Sequence, residues 1–110
     1  MLFCFRIHFD YAVRFFAYIA ANEQFMRKAL AAGFDWALAE SIEDYVGTER
    51  VLRVSDVDMS RLKEPHLRRF AVGGYLNVLK YWLEGGMVET PQQMGEITAN
   101  YVRMLLGPMA

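Results

Sequence analysis

Two consecutive helical patterns within residues 66–106 constrain the fold of this chain more than any other feature. The first runs from about Pro65 to Glu84, and a glycine pair at Gly85-Gly86 marks its end. The second follows Thr90-Pro91-Gln92-Gln93, where threonine caps, proline takes the first helical position and glutamine completes a capping box. It continues to about residue 106. This region therefore predicts an amphipathic helix pair.

The first helix of the pair has too little polar surface for a small monomer. Its apolar residues form two stripes, and only a narrow polar ridge remains, made of Arg69, Gly73, Asn77, Lys80 and Glu84. A chain of 110 residues buries a single core, so we expect a partner subunit to cover part of this helix. Gly73-Gly74 costs about 1 kcal/mol per glycine relative to alanine, which indicates close approach by the backbone of another helix.

The rest of the chain is also predicted to be helical. Residues 9–30 contain no proline or glycine and are apolar on nearly every face. At Asn22 three alternatives stay open: a second helix starts there, the helix is kinked there, or it continues without a break. Gly33 is expected to end this region and Asp35 to cap a helix reaching residue 46. Residues 47–64 are interpreted as an irregular connection, with a short strand within 51–57 as the alternative. Residues 1–110 are thus expected to form one all-α domain of four to five helices.

Charge and composition narrow the classes of partner. Twelve basic and thirteen acidic side chains give a formal charge of -1, so we expect no direct nucleic-acid binding by this chain. The longest uninterrupted apolar run near the start, residues 15–21, is shorter than the roughly 20 residues of a membrane span. Cys4 is the single cysteine, which excludes an intrachain disulfide and favours a reducing, cytoplasmic location.

The sequence contains no pattern typical of catalysis or metal binding. His8 and His66 lack a metal-ligand spacing, and a carboxylate cluster at residues 40–44 is interpreted as a charged outer helix face. Asp56 and Asp58 lack the glycine and terminal glutamate of a calcium loop. No nucleophile elbow, phosphate loop or dinucleotide fingerprint is present. We therefore expect neither an enzyme nor a cofactor or metal site.

Aromatic side chains, 15% of the chain, are the remaining candidates for a binding function. They could surround an apolar cavity between helices, which is the usual place for a ligand in a helical domain, or they could form a dry core. The residues alone slightly favour the dry core. The aromatic residues concerned are Phe9, Phe15, Phe16, Tyr18, Phe25, Phe34, Trp36, Phe70, Tyr81 and Trp82.

About forty residues resemble the C-terminal effector-binding and dimerisation domain of the TetR/AcrR family of transcriptional regulators. The resemblance rests on an aromatic residue, small residues and a glycine pair, then aliphatics, a Trp-Leu pair, further glycines, a Thr-Pro start and a last amphipathic helix. In this chain these are Phe70-Ala71-Val72-Gly73-Gly74, Leu76, Val78, Leu79, Trp82-Leu83, Gly85-Gly86, Thr90-Pro91 and residues 94–106. Residues 15–22 with Phe25 more weakly resemble the family's pocket-lining helix.

The resemblance implies a homodimer joined by a four-helix interface, in which each subunit contributes its last two helices. The implied interface residues are Gly73, Gly74, Leu76, Trp82, Met94, Ile97, Tyr101 and Leu105. It also implies a pocket for a small apolar effector, lined by Phe15, Tyr18, Phe25, Trp36, Phe70 and Tyr81. The expected function is therefore the regulatory domain of a TetR-like transcriptional regulator.

The basic helix-turn-helix of that family does not precede this segment in the sequence. We therefore expect a fragment, a gene with a misplaced start, or a regulator that lost its DNA-binding half. The alternative function is a stand-alone helical interaction protein that pairs with itself or with a full-length regulator.

Overall fold

The computed structural model describes residues 2–46 and 59–107, with side chains described for residues 12–44 and 60–107. The helices are α1 (Leu2–Ala21), α2 (Glu23–Ala31), α3 (Asp35–Val46), a 3₁₀ helix (Met59–Lys63), α4 (Pro65–Glu84) and α5 (Pro91–Leu106). No strand occurs in these ranges, so the all-α prediction is confirmed. The alternative strand, Asp56 and Asp58 lie outside the described residues, as do the side chains of Cys4, His8 and Phe9.

The break between α1 and α2 is real, although Asn22 forms it differently from the prediction. Helix α1 begins at Leu2 and ends at Ala21, and Asn22 makes no side-chain bond to the free amides of α2. Its side-chain amide instead donates to the Tyr18 carbonyl at 2.9 Å. Asn22 thus satisfies the last turn of α1, where carbonyl groups lack partners within the helix.

Gly33 ends the second helix as predicted, because it adopts the left-handed backbone conformation that glycine tolerates best, with φ +85°. The backbone N–H of Phe34 then donates to the Ala29 carbonyl at 2.9 Å. The expected cap at Asp35 is wrong: Asp35 is the first residue of α3, and its carboxylate accepts from Lys80 Nζ at 2.7 Å. The Asp35 carboxylate therefore pairs with a lysine of the neighbouring helix and is not the N-cap of α3.

The start of α4 confirms Pro65 at the first turn and adds a cap that the sequence did not indicate. The Glu64 carboxylate accepts from the backbone N–H groups of His66 at 3.0 Å and Leu67 at 2.8 Å. These bonds, strengthened by the His66 side chain, lower the pKa of Glu64 to about 2. Glu64 therefore neutralises the free donors at the start of α4.

The capping box that starts α5 is present in full. The Gln93 backbone N–H donates to the Thr90 hydroxyl at 3.1 Å, and the Thr90 N–H donates to the Gln93 side-chain oxygen at 2.8 Å. The connection before it is also fixed, because the Trp82 indole N–H donates to the Glu89 carbonyl at 2.9 Å. Local chemistry thus sets both ends of the α4–α5 connection.

The main core lies where α1 and α2 meet α4 and α5. Phe16 is its centre: its ring meets Trp82 edge-on at a 5.2 Å centroid distance and stacks on Tyr75 at 5.8 Å, with an interplanar angle of 29°. The buried residues of this core are Phe16, Ile19, Met26, Leu79, Trp82, Leu83 and Met94. A smaller cluster joins Leu62 to Leu106, and Arg61 donates to the Leu106 carbonyl at 2.8 Å beside it.

Helices α1 and α5 approach each other closely at Gly95. A Cβ placed on Gly95 would lie 2.5 Å from Val13 Cγ2, 3.0 Å from Val13 N and 3.1 Å from Val13 Cα. Gly95 is buried, and α1 has its most extensive contacts with α5. The absence of a side chain at position 95 therefore allows these two helices to pack.

Candidate functional site

The six aromatic residues predicted to line a pocket do not enclose one in this subunit. Phe15 is half-buried, with its ring edge-on to Phe16 at 5.4 Å and to Tyr75 at 5.5 Å. The other five are exposed by more than half: Tyr18, Phe25, Trp36, Phe70 and Tyr81. Side chains this exposed cannot surround a closed apolar cavity. The interior they were expected to border is filled by the packed core.

Two of the predicted interface residues belong to the core of their own subunit. Trp82 is 2% exposed and Met94 is 4% exposed, so neither leaves appreciable surface for a partner. Trp82 and Met94 therefore belong to the core and not to an interface with a partner. Of the others, Gly73, Gly74 and Tyr101 are exposed, while Leu76, Ile97 and Leu105 are half-buried.

Each of the last two helices retains an exposed apolar stripe. On α4 the stripe carries Phe70, 72% exposed, and Tyr81, 76% exposed, with Gly74 between them at helical spacing. On α5 it carries Tyr101 and Met104, both exposed. We call these residues, together with Gly73, Ile97 and Asn77, the α4–α5 face. Phe70 and Tyr81 were predicted as ligand residues, and Met104 was not predicted as part of any site.

Gly73 and Gly74 have no close neighbour among the other elements described, residues 2–46 and 59–107. A Cβ added to either would meet nothing within 4 Å, and both residues are exposed. The predicted close approach of another backbone is therefore not made by any of the helices described in this subunit. Within the described residues that role belongs to Gly95.

The second candidate site is an open groove of about 690 Å³ between α3 and α4, lined by Trp36, Ala39, Glu40, Glu43, Asp44, Arg68 and Arg69. Its charges are mixed, and one pair is already formed: Arg68 Nε donates to Glu43 at 3.1 Å, with both side chains about a quarter exposed. Arg68 also donates to the Leu62 carbonyl at 3.4 Å. Arg68 and Arg61 are thus both engaged in hydrogen bonds within the subunit.

The described residues contain neither a metal-binding group nor a membrane-spanning helix. No group of three or more His, Cys, Asp or Glu side chains there is placed to hold a metal ion. In the same part of the chain, no helix combines the length and apolarity needed to cross a bilayer.

A family model for the C-terminal region of TetR transcriptional regulators matches residues 8–104. The chain belongs to this family. The match extends from α1 to α5, whereas the resemblance in the sequence was strong over about forty residues. Domains of this family usually dimerise and bind small ligands, and they are not normally enzymes. Neither the curated proteins nor the solved structures contain a match to the chain.

Proposed function

We propose that residues 1–110 form a single cytoplasmic domain that dimerises and binds a small apolar effector, as the regulatory part of a TetR-type regulator. The observation that carries the proposal is the α4–α5 face. It presents large apolar side chains to solvent on both helices that the family resemblance assigns to dimerisation. Exposed apolar patches of this kind are typical of protein–protein interfaces.

The glycine pair supports a second copy as the partner. Gly73 and Gly74 lie within α4, where each costs about 1 kcal/mol of helix stability relative to alanine. No contact with the described residues offsets this cost, since none of their atoms lies within 4 Å of a Cβ added to either glycine. A helix of a second subunit, lying close to Gly74 between Phe70 and Tyr81, would use that space and cover both rings.

The effector site is proposed at the surface formed by α1 and α2, with Phe15 as its inner boundary. Tyr18 and Phe25 are 61% and 69% exposed, and they belong to the segment that resembles the family's pocket-lining helix. Aromatic surface bound by an apolar ligand is removed from water, which stabilises the complex at roughly 25 cal/mol per Å². Since the core beneath Phe15 is filled, binding between helices requires some separation of the helices or cover from the partner subunit.

The dimer is tested by replacing Gly74 with leucine. A Cβ added at Gly74 meets no described atom within 4 Å. We therefore expect Gly74→Leu to fold with an unchanged circular dichroism spectrum and a melting temperature at least equal to that of the wild-type monomer. It should nevertheless prevent dimerisation, because the leucine occupies the space proposed for the partner's backbone. Ala31→Leu, at an exposed position of α2, adds a side chain of the same size away from this face.

Light scattering after size-exclusion chromatography separates the outcomes. We expect a dimer for the wild type and Ala31→Leu and a monomer for Gly74→Leu. A folded Gly74→Leu dimer of wild-type affinity would refute the proposed role of α4. Effector binding is tested separately by the rise in melting temperature with 1-anilinonaphthalene-8-sulfonate, an aromatic probe, in wild type and Phe25→Ser. Equal rises in both proteins would exclude the proposed α1–α2 site.

A further inference from the structure

Two ion pairs connect α3 with α4, one near each end of α3. Asp35, the first residue of α3, accepts from Lys80 Nζ near the end of α4 at 2.7 Å. Glu43, near the other end of α3, accepts from Arg68 Nε in the first turns of α4 at 3.1 Å. The two helices therefore run antiparallel, and both charged contacts remain partly open to solvent.

The apolar attachment of α3 is sparse in comparison. Within residues 35–44 only Ile42 is buried, at 8% exposure, and Leu38 is half-buried against the main core. Trp36, the largest side chain of the helix, is 63% exposed. Helix α3 packs mainly on α4, whereas α1 buries Phe16 and Ile19 completely in the core. Among the described side chains of α3, Leu38 therefore makes the contact with the main core.

The link from α2 to α3 is a short turn with no buried side chain. It consists of residues 32–34, all exposed, and Gly33 at its centre has φ +85° with nothing within 4 Å of an added Cβ. Such a turn can change its backbone dihedrals without moving a buried side chain. The open α3–α4 groove includes the Glu43–Arg68 pair in its lining and lies at the end of α4 that contains Arg68 and Arg69.

We propose that α3 is a flap, held against α4 by the Asp35–Lys80 and Glu43–Arg68 ion pairs, which opens about Gly33 while α1, α4 and α5 remain folded. Opening uncovers the part of the main core that Leu38 contacts. In a domain that binds an apolar effector as proposed above, this motion would give the effector a route to the core. That consequence rests on the proposed function, whereas the flap itself does not.

Hydrogen exchange followed by mass spectrometry tests the flap, because it measures the opening of each helix separately. The test variant is Asp35→Asn combined with Glu43→Gln, which removes both ion pairs while keeping side-chain size. The matched control is Glu40→Gln combined with Asp44→Asn, since these exposed carboxylates lie on the same helix and belong to neither ion pair. Both variants change the charge of α3 by the same amount.

We expect the α3 amides to exchange about fivefold faster in the test variant than in the wild type, with rates in α1 and α5 unchanged. Added salt should accelerate α3 exchange in the wild type but not in the test variant, because salt screens the two ion pairs. The control should resemble the wild type. Unchanged α3 exchange in the test variant, or equal acceleration in α1 and α5, would overturn the proposal. This readout needs neither effector nor dimer, so its failure is distinct from failure of the proposed function.

Discussion

Replacing Gly95 with alanine perturbs the contact on which the packing of α1 against α5 depends. The new methyl group would lie 2.5 Å from Val13 Cγ2 and close to the Val13 backbone, at 3.0 Å from N and 3.1 Å from Cα. Ordinary contact begins at 3.4 Å. Rotation of the Val13 side chain relieves only the first of these contacts, so the two backbones must separate by several tenths of an ångström.

The free energy of unfolding should fall by about 2 kcal/mol. Overpacking a well-packed contact costs roughly 1–3 kcal/mol, and the upper part of that range applies because backbone atoms are involved. Exchanging glycine for alanine within a helix stabilises the helix by about 1 kcal/mol, which offsets part of this loss. For a domain near 100 residues, a net loss of this size lowers the melting temperature by roughly 10 °C.

Urea and thermal unfolding followed by circular dichroism measure this change in Gly95→Ala. A double-mutant cycle with Val13→Ala provides the control, since removing Cγ2 relieves one of the three contacts. The double variant should lose about 1 kcal/mol less than the sum of the single variants, in line with a partly relieved clash. A Gly95→Ala protein as stable as the wild type, or more stable, would refute the close approach of α1 and α5.

Three further predictions concern individual contacts. Trp82→Phe should lower the free energy of unfolding by about 1–2 kcal/mol, because it leaves the Glu89 carbonyl without its indole donor and removes buried volume. Thr90→Ala should lower it by about 1 kcal/mol through loss of the bond from the Gln93 N–H, and both losses are measured by urea unfolding. The pKa of Glu64 is about 2 in the folded state and ordinarily 4.5, so its stabilising effect is complete above pH 4.5 and fades as the pH falls towards 2. The melting temperature of Glu64→Gln should therefore depend less on pH in that interval than that of the wild type; parallel pH profiles would contradict this assignment.

Helix positions were predictable from the sequence where the signal is local. Thr90 and Gln93 form their capping box within four residues, and Gly33 ends α2 by its own backbone preference. Asp35 was predicted incorrectly because Lys80, 45 residues away, competes for its carboxylate. The sequence alone gives no measure of that distance, so local propensity was overruled by a tertiary ion pair.

The candidate site was harder to predict because amphipathic spacing does not show which apolar stripe faces inwards. On α4, Leu79 and Trp82 turn into the core while Phe70 and Tyr81 remain outside, although all four are large and apolar. The sequence likewise did not show which glycine lies at a close approach between two helices. Only the packing of α1 shows that a close approach occurs at Gly95.

The central claim, that the α4–α5 face joins two copies of this chain, is tested most directly by the mass of the wild-type protein in solution. Light scattering at micromolar concentration should give twice the 12.7 kDa of one chain, and Gly74→Leu should give the mass of one. A wild-type protein that remains at 12.7 kDa over that concentration range would contradict the claim.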